Sequence, residues 1–114
     1  MENKVNMHDL ERKMVLLGFR ENVSGTAMIR KAVEVWHPGM SMTKELYPYI
    51  AKEFGTTASR VERAMRHAIE TAFERGSIET IQRLFGYTLS PEKGKPSNSE
   101  FIARMNRVCA HGEY

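Results

Sequence analysis

Apolar residues recur along this chain every three or four positions, which is the spacing of one face of an α-helix. The first such stripe predicts a helix over about residues 7–17 that stops at Gly18. A second helix has Ser24 as its candidate N-terminal cap and ends at the His-Pro-Gly sequence of positions 37–39, because proline and glycine both interrupt helical backbone. The apolar positions of these two helices are Met7, Leu10, Met14, Leu17, Met28, Ile29, Ala32, Val33, Val35 and Trp36.

Pro48 leaves two interpretations of the third helix, which runs to Phe54. Proline fits the first turn of a helix but kinks or breaks an interior, because its ring removes a hydrogen-bond donor and clashes with the preceding turn. The third helix therefore either begins near Pro48 or bends there.

The fourth helix, over about residues 58–75, has the cleanest helical period in the chain and closes at Gly76. A short fifth helix lies between Ser77 and Gly86. The apolar positions of these two helices are Val61, Ala64, Met65, Ala68, Ile69, Ala72, Phe73, Ile78, Ile81, Leu84 and Phe85.

Turn-forming residues fill positions 87–96, after which Ser97 and Glu100 form a capping box that opens a last helix. Alternating runs of β-branched residues, which are typical of strands, do not occur in the sequence. The pattern therefore predicts an all-α fold of six short helices. We expect one domain over residues 1–114, with its core over about residues 7–110.

Composition narrows the class of protein. The chain is 41% hydrophobic and 27% charged, as ordinary soluble globular proteins are. Its longest aliphatic run, residues 14–17, is far shorter than the ~18–20 apolar residues of a membrane helix. The lone Cys109 cannot form an internal disulfide, which is typical of a reducing compartment. We therefore expect a cytoplasmic protein with no membrane partner.

The sequence shows no group of residues that an enzyme would need. A nucleophile with its base, paired carboxylates and a metal cluster are all missing from the pattern, and the histidines are scattered at positions 8, 37, 67 and 111. Cys109 and His111 make only a fragment of a metal site. We predict a protein that is not an enzyme, with no cofactor and no metal site.

Residues 47–67 have the pattern of a helix-turn-helix. Ala51 is small enough for two helices to cross closely, and Gly55 supplies the positive φ that a tight turn needs. Thr57 or Ser59 then caps the second helix, which is the fourth helix of the chain.

The outward face of that fourth helix is basic at its start. The net charge of +3 and the pI of about 9.2 permit nucleic-acid binding without establishing it. Arg63 and Arg66 are placed to donate to guanine in a major groove, and Glu62 to accept from cytosine. The alternative is a solvated surface helix in which Glu62 completes a capping box with Ser59.

The run of residues 51–70, with segments 84–88 and 95–103, resembles the carboxy-terminal effector domain of the sporulation-initiating response regulator of endospore-forming bacteria. The resemblance extends over about residues 12–105. It implies a six-helix domain that binds double-stranded DNA, reads a box similar to 5′-TGTCGAA, and both activates and represses transcription. It assigns base reading to Glu62, Arg63 and Arg66. It places phosphate contacts at Thr57, Ser59, Arg60, His67, Lys93, Lys95 and Ser97.

The resemblance also implies two protein partners. Two copies bind head to tail as a homodimer on tandem boxes, and the region from Thr80 to Leu89 faces the sigma subunit of RNA polymerase. Thr80, Phe85 and Leu89 are the candidate contacts, although Phe85 also continues an apolar stripe and is at least partly core.

The family regulator carries a receiver domain, whereas this chain reaches its first helix within a few residues of Met1. We therefore expect an effector domain alone, either excised or from a stand-alone relative, that is monomeric in solution and dimerises on DNA. The competing function is a protein-interaction adaptor or antagonist that kept the fold without specific DNA binding.

Overall fold

Six α-helices form the fold of the computed structural model, which describes residues 5–86 and 94–111 apart from the side chain of His111. A π-helical turn, Met42–Leu46, precedes the third helix. The helices are α1 (Met7–Leu16), α2 (Ser24–Val35), α3 (Tyr47–Phe54), α4 (Ala58–Arg75), α5 (Ile78–Phe85) and α6 (Asn98–His111). No strand occurs in these described ranges, so the all-α prediction is confirmed. None of the helices described is long and apolar enough to cross a bilayer.

The start of α3 shows how a proline fits into a helical pattern. Pro48 is the second residue of α3, where its missing N–H costs no helical hydrogen bond. The π-helical turn leads directly into α3 and is capped by Ser41, whose Oγ accepts from the N–H of Lys44 at 3.1 Å. The N–H of Ser41 in turn donates to Oε1 of Glu45 at 2.7 Å. Of the two interpretations of this helix, the structure supports the first: α3 begins at Tyr47, next to Pro48.

The start of α2 differs from the predicted one. Val23 is the N-cap residue, Ser24 is already helical, and no side chain caps the helix. Thr26 anchors the first turn instead, because its hydroxyl donates to the carbonyl oxygen of Arg20 at 2.7 Å. The prediction that Ser24 caps α2 is therefore wrong. A buried threonine two residues further on supplies a hydrogen bond to the preceding loop, and the boundary moves one residue earlier.

Aromatic rings join the carboxy-terminal helices to the rest of the core. Phe85 of α5 and Phe101 of α6 are stacked with ring centroids 5.5 Å apart. Phe73 of α4 meets Phe85 edge-on at 5.5 Å, and Phe19 packs against Phe101 at 5.2 Å. Trp36, one of the predicted apolar positions of α2, is partly buried against the hydrophobic core. These contacts fix α5 and α6 against the long helix α4.

α4 is held by α2 at a point of very close approach. A methyl group at Gly25 of α2 would lie 2.1 Å from the carbonyl oxygen of Ala64, so only glycine fits there. α3 and α6 also pack against α4. Together with α5, these helices support α4 from one side, and the other side of α4 is presented to solvent.

Candidate nucleic-acid interface

α3 and α4 are joined by a turn of three residues that has helix-turn-helix geometry. Gly55 ends α3 in the left-handed conformation, with φ 67° and ψ 41°. Thr57 is extended, and its Oγ1 accepts from the N–H of Arg60 at 3.3 Å, so Thr57 rather than Ser59 caps α4. Ala51 is buried where α3 packs on α4. The predicted helix-turn-helix is therefore present in the structure.

The two faces of α4 differ sharply in chemistry. Its buried face consists of Val61, Met65, Ala68, Ile69 and Ala72. The exposed side chains of its first three turns are Ser59, Arg60, Arg63, Arg66 and His67. Glu62 is half-buried and is the one carboxylate in these turns, against three arginines. Positive charge is therefore concentrated at the amino-terminal half of the helix, where the helix dipole adds to it.

Arg63 and Arg66 have different surroundings. Arg66 is paired with Glu62 one turn earlier, with Nε 3.4 Å from Oε2. An exposed pair at this spacing stabilises a helix by about 0.3–0.5 kcal/mol, whereas a bidentate contact with guanine is worth ~1–3 kcal/mol. Arg63 is exposed and has no ion pair within the described parts of the chain. Arg63 is thus free to bind, and Arg66 can exchange its partner at small cost.

Four of the predicted phosphate-contacting residues border these arginines. Thr57, Ser59 and Arg60 are exposed at the start of α4, and His67 is exposed two turns further along the helix. The hydroxyl of Thr57 accepts the capping hydrogen bond and retains its own proton for donation. An anion at this end of the helix would meet unpaired backbone N–H groups and a favourable dipole.

The segment before α6 lies beside the same helix. Nζ of Lys95 is 3.3 Å from Oε2 of Glu70 on α4. Ser97 and Glu100 form the predicted capping box, with the N–H of Ser97 donating to Oε1 of Glu100 at 2.8 Å and the N–H of Glu100 donating to Oγ of Ser97 at 3.2 Å. Lys93 lies outside the described residues. Lys95 and Ser97 are therefore brought to the side of α4 that carries Arg66.

A groove of about 570 Å³ separates α4 from the segment before α6 and the π-helical turn. Two ion pairs line it, Glu62 with Arg66 and Glu70 with Lys95. Each pair holds one of the predicted DNA-binding cations beside a carboxylate. The groove is therefore close to neutral in the free protein, and its cations become available when the pairs open.

Two residues at this groove were not singled out as site residues from the sequence. Asn98 and Tyr47 are both buried, and Nδ2 of Asn98 donates to the phenol oxygen of Tyr47 at 3.0 Å. The same nitrogen donates to the backbone carbonyl oxygen of Glu62 at 3.1 Å. Burial raises the pKa of the Tyr47 phenol, although the hydrogen bond from Asn98 opposes this, so the phenol is neutral at physiological pH. No local sequence signal marks either residue, because their partners are distant in the chain.

The predicted polymerase-facing residues have different environments. Thr80 is half-buried on α5, and its N–H donates to Oγ of Ser77 at 3.1 Å. Phe85 is only 1% exposed and is stacked in the core, so its side chain is not presented on the surface. Leu89 lies outside the described residues. The alternative that Phe85 belongs to the core is the one the structure supports.

The one cysteine of the chain is placed for packing rather than for reactivity. Cys109 is buried on α6, and burial raises its pKa to about 11, with the nearby Asp9 carboxylate adding to the shift. A thiol with so high a pKa is inert at neutral pH. Among the described side chains, no group of three or more His, Cys, Asp or Glu is close enough to hold a metal ion.

An all-α scaffold that presents the basic second helix of a helix-turn-helix defines a DNA-binding domain. The family model described as "Sporulation initiation factor Spo0A C terminal" matches residues 10–108. This match covers nearly the whole chain, so the protein belongs to that family. It is a DNA-binding domain of the sporulation response-regulator type, which is a transcription-regulator family and not a known enzyme family.

Proposed function

We propose that this domain regulates transcription by placing α4 in the major groove of a box resembling 5′-TGTCGAA. The observation that carries the proposal is the exposed, arginine-rich start of α4 opposite a fully buried apolar face. A major groove admits one α-helix, and the amino-terminal residues of such a helix reach the base edges. Arg63 and Arg66 then donate to O6 and N7 of guanine, and Glu62 accepts from N4 of cytosine. A protein of this kind acts on DNA in the cytoplasm.

Binding studies on boxed and scrambled duplexes test this proposal. Arg63→Ala or Arg66→Ala is expected to weaken binding to the box by ~1–3 kcal/mol and to weaken binding to scrambled DNA less. Arg75→Ala is the matched control, because it removes the same charge from the exposed last turn of α4. Equal losses on both duplexes would make the arginines phosphate contacts. A wild-type protein that binds neither duplex would favour the adaptor function.

The phosphate contacts that accompany base reading come from the flanks of α4 and from the segment before α6. Lys95 and Ser97, together with Lys93, follow the backbone on one side, and Thr57, Ser59, Arg60 and His67 border the other. The assignment rests on the exposure of Thr57, Ser59, Arg60, His67 and Ser97 and on the approach of Lys95 to α4. For Lys93 it rests on the family resemblance. Such contacts position the protein on DNA without reading its sequence.

Salt titration separates these phosphate contacts from base contacts. Replacing Lys93 and Lys95 by alanine should lower affinity for all duplexes alike and reduce the salt slope by about one unit for each lost phosphate contact. Glu70→Gln should have the opposite sign, because it releases Lys95 from its 3.3 Å ion pair. A salt slope unaltered in the double lysine variant would mean that both are ordinary solvated charges.

A domain of this size reads only a few base pairs through one helix, so useful specificity normally comes from two copies on neighbouring half-sites. We propose a monomer in solution that forms a head-to-tail homodimer on tandem boxes, with Thr80 and Leu89 facing the sigma subunit. Phe85 supports that surface from inside the core, because it is buried. Sedimentation of the free protein, and then with one-box and two-box duplexes, tests the assembly. A stable dimer without DNA, or independent binding to two boxes, would overturn it.

A further inference from the structure

Asn98 is a buried amide that joins three elements around the proposed DNA interface. It is the first residue of α6 and is 8% exposed. Its Nδ2 donates to the phenol oxygen of Tyr47 at the start of α3 and to the carbonyl oxygen of Glu62 in α4, at 3.0 and 3.1 Å. An amide nitrogen has two protons, so both are used on partners 51 and 36 residues away.

The carbonyl that accepts from Asn98 belongs to the base-reading turn of α4. In α-helical geometry the carbonyl of Glu62 faces the N–H of Arg66, so it lies in the turn that carries both of those side chains and Arg63. A hydrogen bond to this carbonyl restrains both the rotation of the turn and its position along the helix axis. The donor, Asn98, directly follows Ser97 and the segment before α6 that carries Lys95.

We infer that Asn98 is a positioning residue for DNA binding, which holds the base-reading turn of α4 in register with the phosphate-contacting segment before α6. The inference rests on the proposed function. Base contacts need donors held within about 0.5 Å of the productive geometry, whereas phosphate attraction is electrostatic and tolerates displacement. Loss of the Asn98 amide should therefore reduce discrimination between sequences more than it reduces general affinity.

The chain contains a matched control on the same helix. Asn106 of α6 is 1% exposed, and its Nδ2 donates to the carbonyl oxygens of Val33 and Trp36, both at 2.8 Å. Asn106→Ala thus removes a buried amide that donates two hydrogen bonds, as Asn98→Ala does, although both acceptors of Asn106 are backbone carbonyls. It does so at the end of α2, whereas Asn98 bonds to α4.

The experiment measures the affinity of the full chain for a boxed and a scrambled duplex at one salt concentration, beside unfolding in urea. Asn98→Ala should lower the ratio of boxed to scrambled affinity about tenfold, which is the scale of one lost base contact. Asn106→Ala should lower the urea midpoint and leave the ratio unchanged. An equal fall of both affinities in Asn98→Ala would show a merely structural role and would overturn the inference.

A second variant keeps the inference testable if Asn98→Ala does not fold. Asn98→Asp keeps the size of the side chain, and its carboxylate can accept from the Tyr47 hydroxyl, but it cannot donate to the carbonyl oxygen of Glu62. Its added charge weakens both duplexes alike, so the ratio still reports on register. An unchanged ratio in this variant refutes the role of Asn98. A wild-type protein with no preference for the box refutes the proposed function instead.

Discussion

Truncation of Phe85 offers a quantitative test of its place in the core. The side chain is 1% exposed, stacked on Phe101 at 5.5 Å and in edge contact with Phe73 at 5.5 Å. Removing a buried phenylalanine loses its transfer free energy and leaves a cavity, for which the usual cost is about 3–5 kcal/mol. Each aromatic contact adds ~0.5–1.5 kcal/mol to what burial alone provides. We therefore expect Phe85→Ala to lower the free energy of unfolding by about 4 kcal/mol.

That loss is large for a domain of this length. Native domains are stable by only about 5–15 kcal/mol, so the variant should retain a fraction of the original stability. Urea unfolding, followed by far-ultraviolet circular dichroism and by the fluorescence of the single tryptophan, measures the change. Ile78→Ala is the matched control, because Ile78 begins the same helix and is 77% exposed. Its expected effect is within about 0.5 kcal/mol.

The result bears directly on the proposed polymerase contact. A change of less than about 1 kcal/mol in Phe85→Ala, close to that of Ile78→Ala, would refute the core assignment. With the expected loss, weaker transcription in a Phe85 variant would reflect displacement of α5, and tests of direct contact belong at Thr80 and Leu89.

Three further predictions concern the support of the scaffold. Gly25→Ala should destabilise the protein by at least about 1–3 kcal/mol in thermal unfolding, because the new methyl group would lie 2.1 Å from the Ala64 carbonyl oxygen. Asp9→Asn should cost ~1–3 kcal/mol at neutral pH, because Nζ of the buried Lys13 loses a carboxylate 2.7 Å away. Burial acts to raise the pKa of Asp9, but its cationic neighbours outweigh burial, and the pKa is lowered. The stabilisation by this ion pair is therefore present above the ordinary carboxyl pKa and is lost as the pH falls through the lowered pKa of Asp9. Cys109, with a pKa of about 11, should react with a thiol reagent at neutral pH only after unfolding.

Each of these predictions has a plain contrary result. A Gly25→Ala protein as stable as the wild type would mean that α2 and α4 do not meet so closely. Stability curves of the wild type and Asp9→Asn that stay parallel into acid, instead of converging, would exclude the ion pair as the source of the difference. Rapid labelling of Cys109 in the native protein would show that the thiol is accessible.

Local interactions made most of the secondary structure predictable. The helical period of Val61, Met65 and Ile69 marked α4 and its buried face, and Gly55 marked the turn before it. The capping box of Ser97 and Glu100 involves residues three apart. Interactions of this kind join residues that are close in sequence, so a short stretch of sequence is enough to predict them. The placement of Arg63 on the outward face follows from the same period.

Tertiary contacts determined two features that the local sequence pattern predicted wrongly or left open, the start of α2 and the burial of Phe85. Thr26, bonded to a carbonyl in the preceding loop, replaced Ser24 as the anchor of α2. The sequence allowed Phe85 to be either a surface contact or a core residue, and its stacking on the ring of Phe101 places it in the core. In both cases the contact that settles the residue's role is made with a residue outside its own helix.

The candidate interface shows most clearly which features follow from local sequence and which depend on tertiary structure. The sequence by itself determined that a basic helix follows a tight turn, because side-chain period and glycine backbone are local properties. Only the folded chain brought Lys95 to Glu70 and the amide of Asn98 to the carbonyl of Glu62. A side-chain amide has no period and no preferred sequence distance to its acceptor. Its partner is set by the packing of α6 against α4, which depends on the whole core.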